Sequence, residues 1–166
     1  MPAMIEARSL PSQAVAGGRR YRIAVSPAVL TPALLAELAG GMRLWDEAQL
    51  FLADTLFEGC CLTPANSRSR FAALGLRAGQ LHADVADQSD PLRAAAAYEQ
   101  RLRAVFALGP RDVPRFDAIV LRPGALADLP DETGRLAVAA WSPARRRRYV
   151  TLTSAVIHNA ALVIGG

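Results

Sequence analysis

The chain has 166 residues, of which 52% are hydrophobic and 20% are charged. This length and composition predict one globular domain with a sizeable core, and they exclude a disordered or collagen-like chain. All 19 basic residues are arginines, so Schiff-base chemistry, a lysine general base and a Walker-type phosphate lysine are excluded as well. Any anion must be bound by Arg, by hydroxyl groups or by backbone N–H groups.

The basic excess is concentrated in one run, Arg145–Arg148. The formal net charge is +4, so the other 15 arginines balance the 15 acidic residues. Surfaces that bind nucleic acid usually spread basic residues along a stripe with aromatic residues between them, and only 6% of this chain is aromatic. We therefore expect no nucleic-acid partner. The run itself is typical of a solvated loop, and a contact with a protein partner or a phosphate is the alternative.

The first residues, the uncharged stretches and the cysteines favour a cytoplasmic protein. Met1–Leu10 has no basic segment followed by an apolar one, so no secretory leader is predicted. The longest uncharged stretches, Ile23–Ala36 and Tyr149–Gly166, are interrupted by prolines or polar residues, so we expect no membrane association. Cys60 and Cys61 are adjacent, which fits neither a disulfide framework nor a zinc site, and no bound metal is expected.

Strand and helix patterns alternate along the chain. Thr31 before Pro32 and Asp90 before Pro91 are typical of capped helix starts, and Gly109-Pro110 is expected to end the second of these helices. Short apolar stretches bounded by turns predict strands. The predicted strands are Tyr21–Ser26, Ala48–Ala53, Leu81–Val85, Phe116–Leu121, Leu136–Trp141 and Tyr149–Thr153, and the predicted helices are Pro32–Ala39, Ala65–Leu74 and Asp90–Leu108.

This alternation predicts an α/β fold with a doubly wound, mostly parallel sheet in a single domain that spans residues 1–166. Four of the strands are expected at the centre of the sheet: Tyr21–Ser26, Ala48–Ala53, Phe116–Leu121 and Tyr149–Thr153. Ligands of such sheets bind beyond the carboxyl ends of the strands. The loops at that edge are Ser26–Thr31, Asp54–Asn66, Leu121–Ala127 and Thr153–Asn159.

Several short segments occur in an order and spacing that are typical of one enzyme family. They are Tyr21–Pro32 with Ser26 and Thr31, Trp45 ahead of Asp54, Asn66, Ala95–Arg101, Phe116-Asp117, Asp131-Glu132-Thr133 and Val150–Thr153. Over nearly the whole chain they resemble the 6-phosphogluconolactonases, within the wider glucosamine-6-phosphate isomerase and lactonase family. The resemblance implies a Rossmann-like α/β fold, a sugar-phosphate ligand and a mechanism without cofactor or metal.

The sequence departs from this family where the chemistry is expected. Active members hold the phosphate on a Ser-Gly-Gly-Ser-Thr-Pro loop, and a His in a Gly-x-Gly-x-Asp-Gly-His segment is the general base. Here Pro27 and Ala28 replace the loop glycines, and Pro has no N–H to donate. The segment Arg122–Asp128 contains no His, and Tyr149 stands where the family has an Arg before its Val/Ile-Thr-Leu-Thr strand, with Arg148 pointing to the opposite face.

Three residues are candidates for catalysis or ligand contact. Asp54 follows a strand and corresponds to a general base in the isomerase branch of the family, although a strand-end carboxylate also caps local N–H groups. Asn66 is a candidate ligand contact or a local backbone partner. His158, expected on the first turns of a helix at the ligand edge, is the candidate substitute for the missing base, and a structural His is the alternative.

A phosphate is expected to bind near Ser26 and Thr31, at the start of the first helix. Because two prolines remove donors from this loop, Arg147 or Arg148 would have to supply the missing contacts, and the site is expected to be weak. The resemblance therefore predicts a homologue that hydrolyses 6-phosphogluconolactone to 6-phosphogluconate in the pentose phosphate pathway, with activity weak or lost. A non-catalytic binding or regulatory protein on the same fold is the alternative.

Overall fold

The computed structural model describes residues 20–41, 47–56, 76–82, 90–130, 132, 134–143 and 146–166. The strands in these ranges are Arg22–Val25 (β1), Gln49–Leu52 (β2), Asp54–Leu56 (β3), Leu81–His82 (β4), Ala118–Val120 (β5), Ala137–Ser142 (β6), Arg147–Leu152 (β7) and Val163–Ile164 (β8). The helices are Pro32–Gly41 (α1), Pro91–Phe106 (α2) and Ser154–His158 (α3). The predicted helix Ala65–Leu74 lies outside the described residues, as do residues 83–85 of the predicted strand Leu81–Val85.

The main sheet has the strand order β4-β2-β1-β5-β8, and every pair in it is parallel. Successive residues of its central strands face opposite sides, as a strand requires. Ala24, Phe51 and Ile119 belong to an apolar cluster that includes residues of α2. Ile23, Leu50 and Ala118 belong to a second apolar cluster on the other face of the sheet, and Leu34 of α1 packs against it. Helices thus cover both faces, and the predicted doubly wound α/β class is confirmed.

A second, antiparallel sheet has the order β3-β7-β6. The prediction that Tyr149–Thr153 is a central strand of the main sheet is therefore wrong. The physical reason is a break at Ala53, which ends β2 and lets β3 leave the main sheet to pair with β7. Helix α2 packs against both sheets, because Tyr98 lies in one apolar cluster with Phe51 and Val150.

The local start signals of the two long helices are confirmed. The Thr31 hydroxyl accepts a hydrogen bond from the Leu34 N–H at 3.1 Å, and the Asp90 carboxylate accepts one from the Leu92 N–H at 3.0 Å. Helix α2 ends earlier than predicted, because Ala107 adopts a left-handed conformation with φ of 53°. Among the described helices, none has the length and apolar character that crossing a membrane requires.

Replacing Tyr98 with Phe is expected to lower the free energy of unfolding by about 1 kcal/mol, or roughly 2–4 °C in melting temperature. The buried Tyr98 hydroxyl donates to the Leu52 carbonyl at 2.7 Å and ties α2 to the end of β2. Thermal unfolding followed by circular dichroism measures the effect. Tyr21→Phe is the matched control, since no hydrogen bond of the Tyr21 hydroxyl to a described residue is present. Equal melting temperatures for the two variants would contradict the expectation.

Candidate active site

Three polar residues meet at the carboxyl ends of β1, β2 and β5. Ser26 follows β1 and its N–H donates to the Val120 carbonyl at 2.8 Å, while Asp54 and Arg122 come shortly after β2 and β5. The main sheet extends from β1 to β2 on one side and to β5 on the other, so this is its topological switch point. Ligands of open α/β sheets bind at such a point.

Arg122 is the centre of this cluster and is only 6% exposed. Its Nε donates to Asp54 at 3.1 Å, its second terminal nitrogen donates to Asp128 at 2.8 Å, and its first donates to the Pro123 carbonyl at 3.4 Å. Burial lowers the pKa of Arg122, but the hydrogen bond to Asp128 and the charges of Asp54 and Asp128 outweigh it and raise that pKa above its ordinary value. All three guanidinium nitrogens are thus engaged within the protein.

Asp54 is therefore held by a cation of the protein itself. The carboxylate is buried, and one of its oxygens accepts the Arg122 hydrogen bond. Its backbone is fixed as well, since Asp54 lies opposite Thr151 in the β3–β7 pair. The structure places Asp54 at the predicted edge of the sheet, but in an ion pair rather than facing an open ligand site.

Tyr149 of β7 contacts the same cluster. Its hydroxyl donates to the Asp128 carbonyl, and the side chain is buried. Asp128 is thus fixed at its carboxylate by Arg122 and at its carbonyl by Tyr149. Together these contacts hold the turn segment 123–128 against the end of the second sheet.

The loop from Ser26 to Thr31 bonds its own main-chain groups in a turn. The N–H groups of Val29 and Leu30 donate to the carbonyls of Ser26 and Pro27 at 3.0 and 3.3 Å, which forms a 3-10 turn over Pro27–Val29. The Ser26 hydroxyl is 0% exposed and has no hydrogen-bond partner among the described residues, and the Thr31 hydroxyl caps α1. Most donors of a phosphate-binding loop are therefore either missing or used inside the turn.

His158 is the last residue of α3 and lies near the amino end of β5, opposite to the carboxyl ends of the strands. The adjacent Asn159 donates to the carbonyls of Val113 and Pro114, both at 3.2 Å, and the Ala161 N–H donates to the Phe116 carbonyl, just before β5 begins. His158 itself is exposed, and its Nδ1 lies 3.0 Å from the Ser154 hydroxyl. The expectation that α3 places His158 at the ligand edge is wrong, because the chain has already crossed the sheet when α3 ends.

Neither a model of a protein family nor a curated protein matches the chain. Three solved structures are similar to it. The devB protein is 19% identical, with a TM-score of 0.65 over 89% of this chain and 68% of its own chain. The 6-phosphogluconolactonase of Thermotoga maritima is 18% identical, with a TM-score of 0.63 over 87% of this chain and 68% of its own chain. That of Shewanella baltica has 20% identity and a TM-score of 0.60 over 87% and 65%. The chain has the fold of the 6-phosphogluconolactonases.

On this lactonase fold, the arginines predicted to bind phosphate lie along β7, away from Ser26. Thr151 of β7 lies opposite Asp54, and Arg148 precedes Thr151 by three residues, which is about 10 Å along the strand. Arg148 lies opposite Trp141 of β6. Arg148 also points to the face opposite Tyr149, as expected, while Arg147 shares the Tyr149 face. Asn66 and Arg145 lie outside the described residues. The ligand contacts of Asn66, Arg147 and Arg148 stay predictions.

Arg122 and Asp128 are the site residues that the sequence reasoning missed. A signal was present: Arg122 directly follows the predicted strand Phe116–Leu121, and Asp128 follows Arg122 by six residues, at the edge where open α/β sheets bind ligands. Within the described ranges, no group of three or more His, Cys, Asp or Glu side chains suited to a metal ion occurs.

Proposed function

We propose that the protein is a 6-phosphogluconolactonase homologue that hydrolyses 6-phosphogluconolactone weakly or not at all. The observation that carries this proposal is the buried ion pair between Asp54 and Arg122, which is closed on its other side by Asp128. The proposal keeps the pentose phosphate pathway that the family resemblance implies and the cytoplasmic location that the sequence favours. A non-catalytic binding or regulatory role is the alternative on the same fold.

The ion pair opposes hydrolysis for a chemical reason. A general base has to accept a proton from water at a position within hydrogen-bond reach of the substrate. One carboxylate oxygen of Asp54 instead accepts a hydrogen bond from a guanidinium that is itself buried. The segment 122–128, which replaces the His-containing segment of active family members, supplies that guanidinium and no His.

The loop at Ser26 supports weak rather than tight sugar-phosphate binding. Two of its N–H groups donate within the 3-10 turn, and neither Pro27 in the loop nor Pro32 directly after it has an N–H. Each missing charge-assisted hydrogen bond lowers phosphate affinity by about 10- to 150-fold. Sugar phosphate remains the ligand class that the fold favours, and Ser26 and Thr31 are the residues proposed to lie nearest to it.

A lactone-hydrolysis assay tests the proposal. With purified protein and 6-phosphogluconolactone, the rate is expected to equal or only slightly exceed spontaneous hydrolysis, because the carboxylates of Asp54 and Asp128 are paired with Arg122. Asp54→Asn is expected to leave that rate unchanged, and a 6-phosphogluconolactonase assayed in parallel serves as the positive control. Turnover far above the spontaneous rate that Asp54→Asn abolishes would overturn the proposal and restore Asp54 as the catalytic base.

A further inference from the structure

The hairpin formed by β6 and β7 carries a group of cationic side chains without partners. Arg146 and Arg148 are exposed and Arg147 is half-buried, and none of their side chains forms an ion pair or hydrogen bond with a residue that the structure describes. Arg146 has a left-handed backbone with φ of 50° at the start of β7. The hydrogen bonds described for the candidate active site involve none of these arginines.

Among the described strands, β6 is an edge of the second sheet, and its outer main-chain groups form no hydrogen bond to a described residue. The Thr153 N–H donates to the Leu136 carbonyl, and the Leu152 N–H donates to the Ala53 carbonyl. In an antiparallel pair, residues whose N–H and C=O groups bond the partner strand alternate with residues whose groups point away from it. These two bonds therefore determine which residues of β6 bond β7 and which point outwards. By this alternation Ala139 and Trp141 direct their N–H and C=O groups away from β7, towards the outer edge of the sheet, where no described residue bonds them.

Trp141 adds an apolar surface to this edge. Its side chain is 56% exposed, which is unusual for an aromatic residue of this size, and it lies directly opposite Arg148 in the β6–β7 pair. Paired residues of antiparallel strands project from the same face. The β6 edge therefore has main-chain donors and acceptors and an exposed indole, and Arg148 of the neighbouring strand β7 projects from the same face as that indole.

We propose that this hairpin edge, defined by Ala139, Trp141 and residues 146–148, binds an acidic, extended segment of a protein partner. The segment adds to β6 as a further strand. Its main chain pairs with the outer groups of Ala139 and Trp141, an apolar side chain packs on the indole, and its carboxylates contact the arginines. This inference does not depend on the proposed function, because it uses none of the residues at the switch point.

The edge favours a peptide over a nucleic acid for two reasons. Unpaired strand groups are complementary to another main chain, whereas a nucleic acid has no regular row of amides to pair with them. Single-stranded nucleic acids bind by stacking successive bases on several aromatic side chains, and Trp141 is the aromatic residue exposed on this hairpin. The first residues of the chain do not suit the edge either, since residues 1–19 contain two arginines and one Glu.

Binding of a labelled probe to the full chain tests the proposal. The probe is a fluorescein-labelled octapeptide of alternating Glu and Val, measured by anisotropy at low salt beside a labelled oligouridine of similar charge. Arg146→Glu combined with Arg148→Glu is expected to weaken peptide binding by about tenfold or more. The matched control is Arg111→Glu with Arg115→Glu, two exposed arginines that form no ion pair with a described residue, and it is expected to change binding by less than about twofold.

Ala139→Pro tests the strand addition separately from charge. Proline removes an N–H that the β6–β7 pair does not use, so the hairpin is expected to keep its structure, and peptide affinity is expected to fall by about tenfold. Trp141→Ala, which keeps every main-chain group, provides a second variant if Ala139→Pro does not fold. Equal peptide binding by the wild type and the variants overturns the proposal, as does no peptide binding, binding of oligouridine alone, or dimerisation through this edge.

Discussion

Replacing Arg122 with Met is expected to lower the free energy of unfolding by about 3–5 kcal/mol, the range for removing one partner of a buried ion pair. The variant leaves Asp54 and Asp128 without their shared cation, and the carboxylate of Asp54 is buried. The side chain of Asp128 is 26% exposed, so water replaces part of its lost contact and the lower half of the range is favoured. Urea denaturation measures the loss in free energy of unfolding, when the wild type and the variant are fitted with the same dependence of that free energy on urea concentration.

Two further variants separate the ion pair from the packing of the long Arg side chain. Arg115→Met changes an exposed Arg without an ion pair to a described residue and is expected to have an effect below about 0.5 kcal/mol. Adding Asp54→Asn and Asp128→Asn to Arg122→Met is expected to recover much of the loss, because no unpaired charge then remains buried. A loss below about 1 kcal/mol for Arg122→Met would show that the cluster is not a buried ion pair in solution.

Local signals were enough to predict the start of each long helix and the central strands of the main sheet. The hydroxyl of Thr31 and the carboxylate of Asp90 act within three residues of their own positions, so the sequence contains the whole interaction. The pairing of Tyr149–Thr153 is different, because its partner β3 lies about 95 residues earlier and becomes available only through the break at Ala53. Periodicity predicts that a strand exists, but not the sheet to which it belongs.

The site was predictable in position and not in chemistry. The carboxyl ends of β1 and β2 follow from the α/β pattern, which placed Ser26 and Asp54 correctly. The role of Asp54 depends on Arg122, 68 residues away, and no local pattern distinguishes a buried Arg from an exposed one. His158 was misplaced for the same reason, since its location depends on contacts of Asn159 with residues about 45 positions earlier.

The Arg122 cluster places protein groups at the switch point of the main sheet. In the family pattern, glycine-rich loops at this edge keep backbone N–H groups available for a ligand. Here, among the described residues, Arg122 bonds Asp54 and Asp128 at this edge, and the turn after Ser26 uses the N–H groups of Val29 and Leu30. A satisfied polar cluster stabilises the fold at the position where a catalytic site would need unsatisfied groups.

Replacing Glu99 with Gln is expected to destabilise the protein by about 1–3 kcal/mol at pH 7 and by much less in acid. Glu99 is 9% exposed and accepts hydrogen bonds from Arg135 at 2.7 Å, from Arg103 at 3.0 Å and from the Leu136 N–H at 3.2 Å. Burial raises the pKa of Glu99, but the hydrogen bonds from Arg135, Arg103 and Leu136 and the charge of Arg135 outweigh it and lower that pKa below its ordinary value of 4.5.

The direction of the pH dependence follows from that lowered pKa. An acid whose pKa is lower in the folded state stabilises the fold above its unfolded pKa, and the contribution is lost as the pH falls through the folded pKa. Urea denaturation of the wild type and Glu99→Gln from pH 7 to pH 3 is therefore expected to give stability curves that converge below about pH 4.5. Glu37→Gln, on an exposed position of α1, is the control and is expected to follow the wild type throughout. A difference between wild type and Glu99→Gln that stays constant down to pH 3 would mean that lost packing, and not the charge of Glu99, causes the destabilisation.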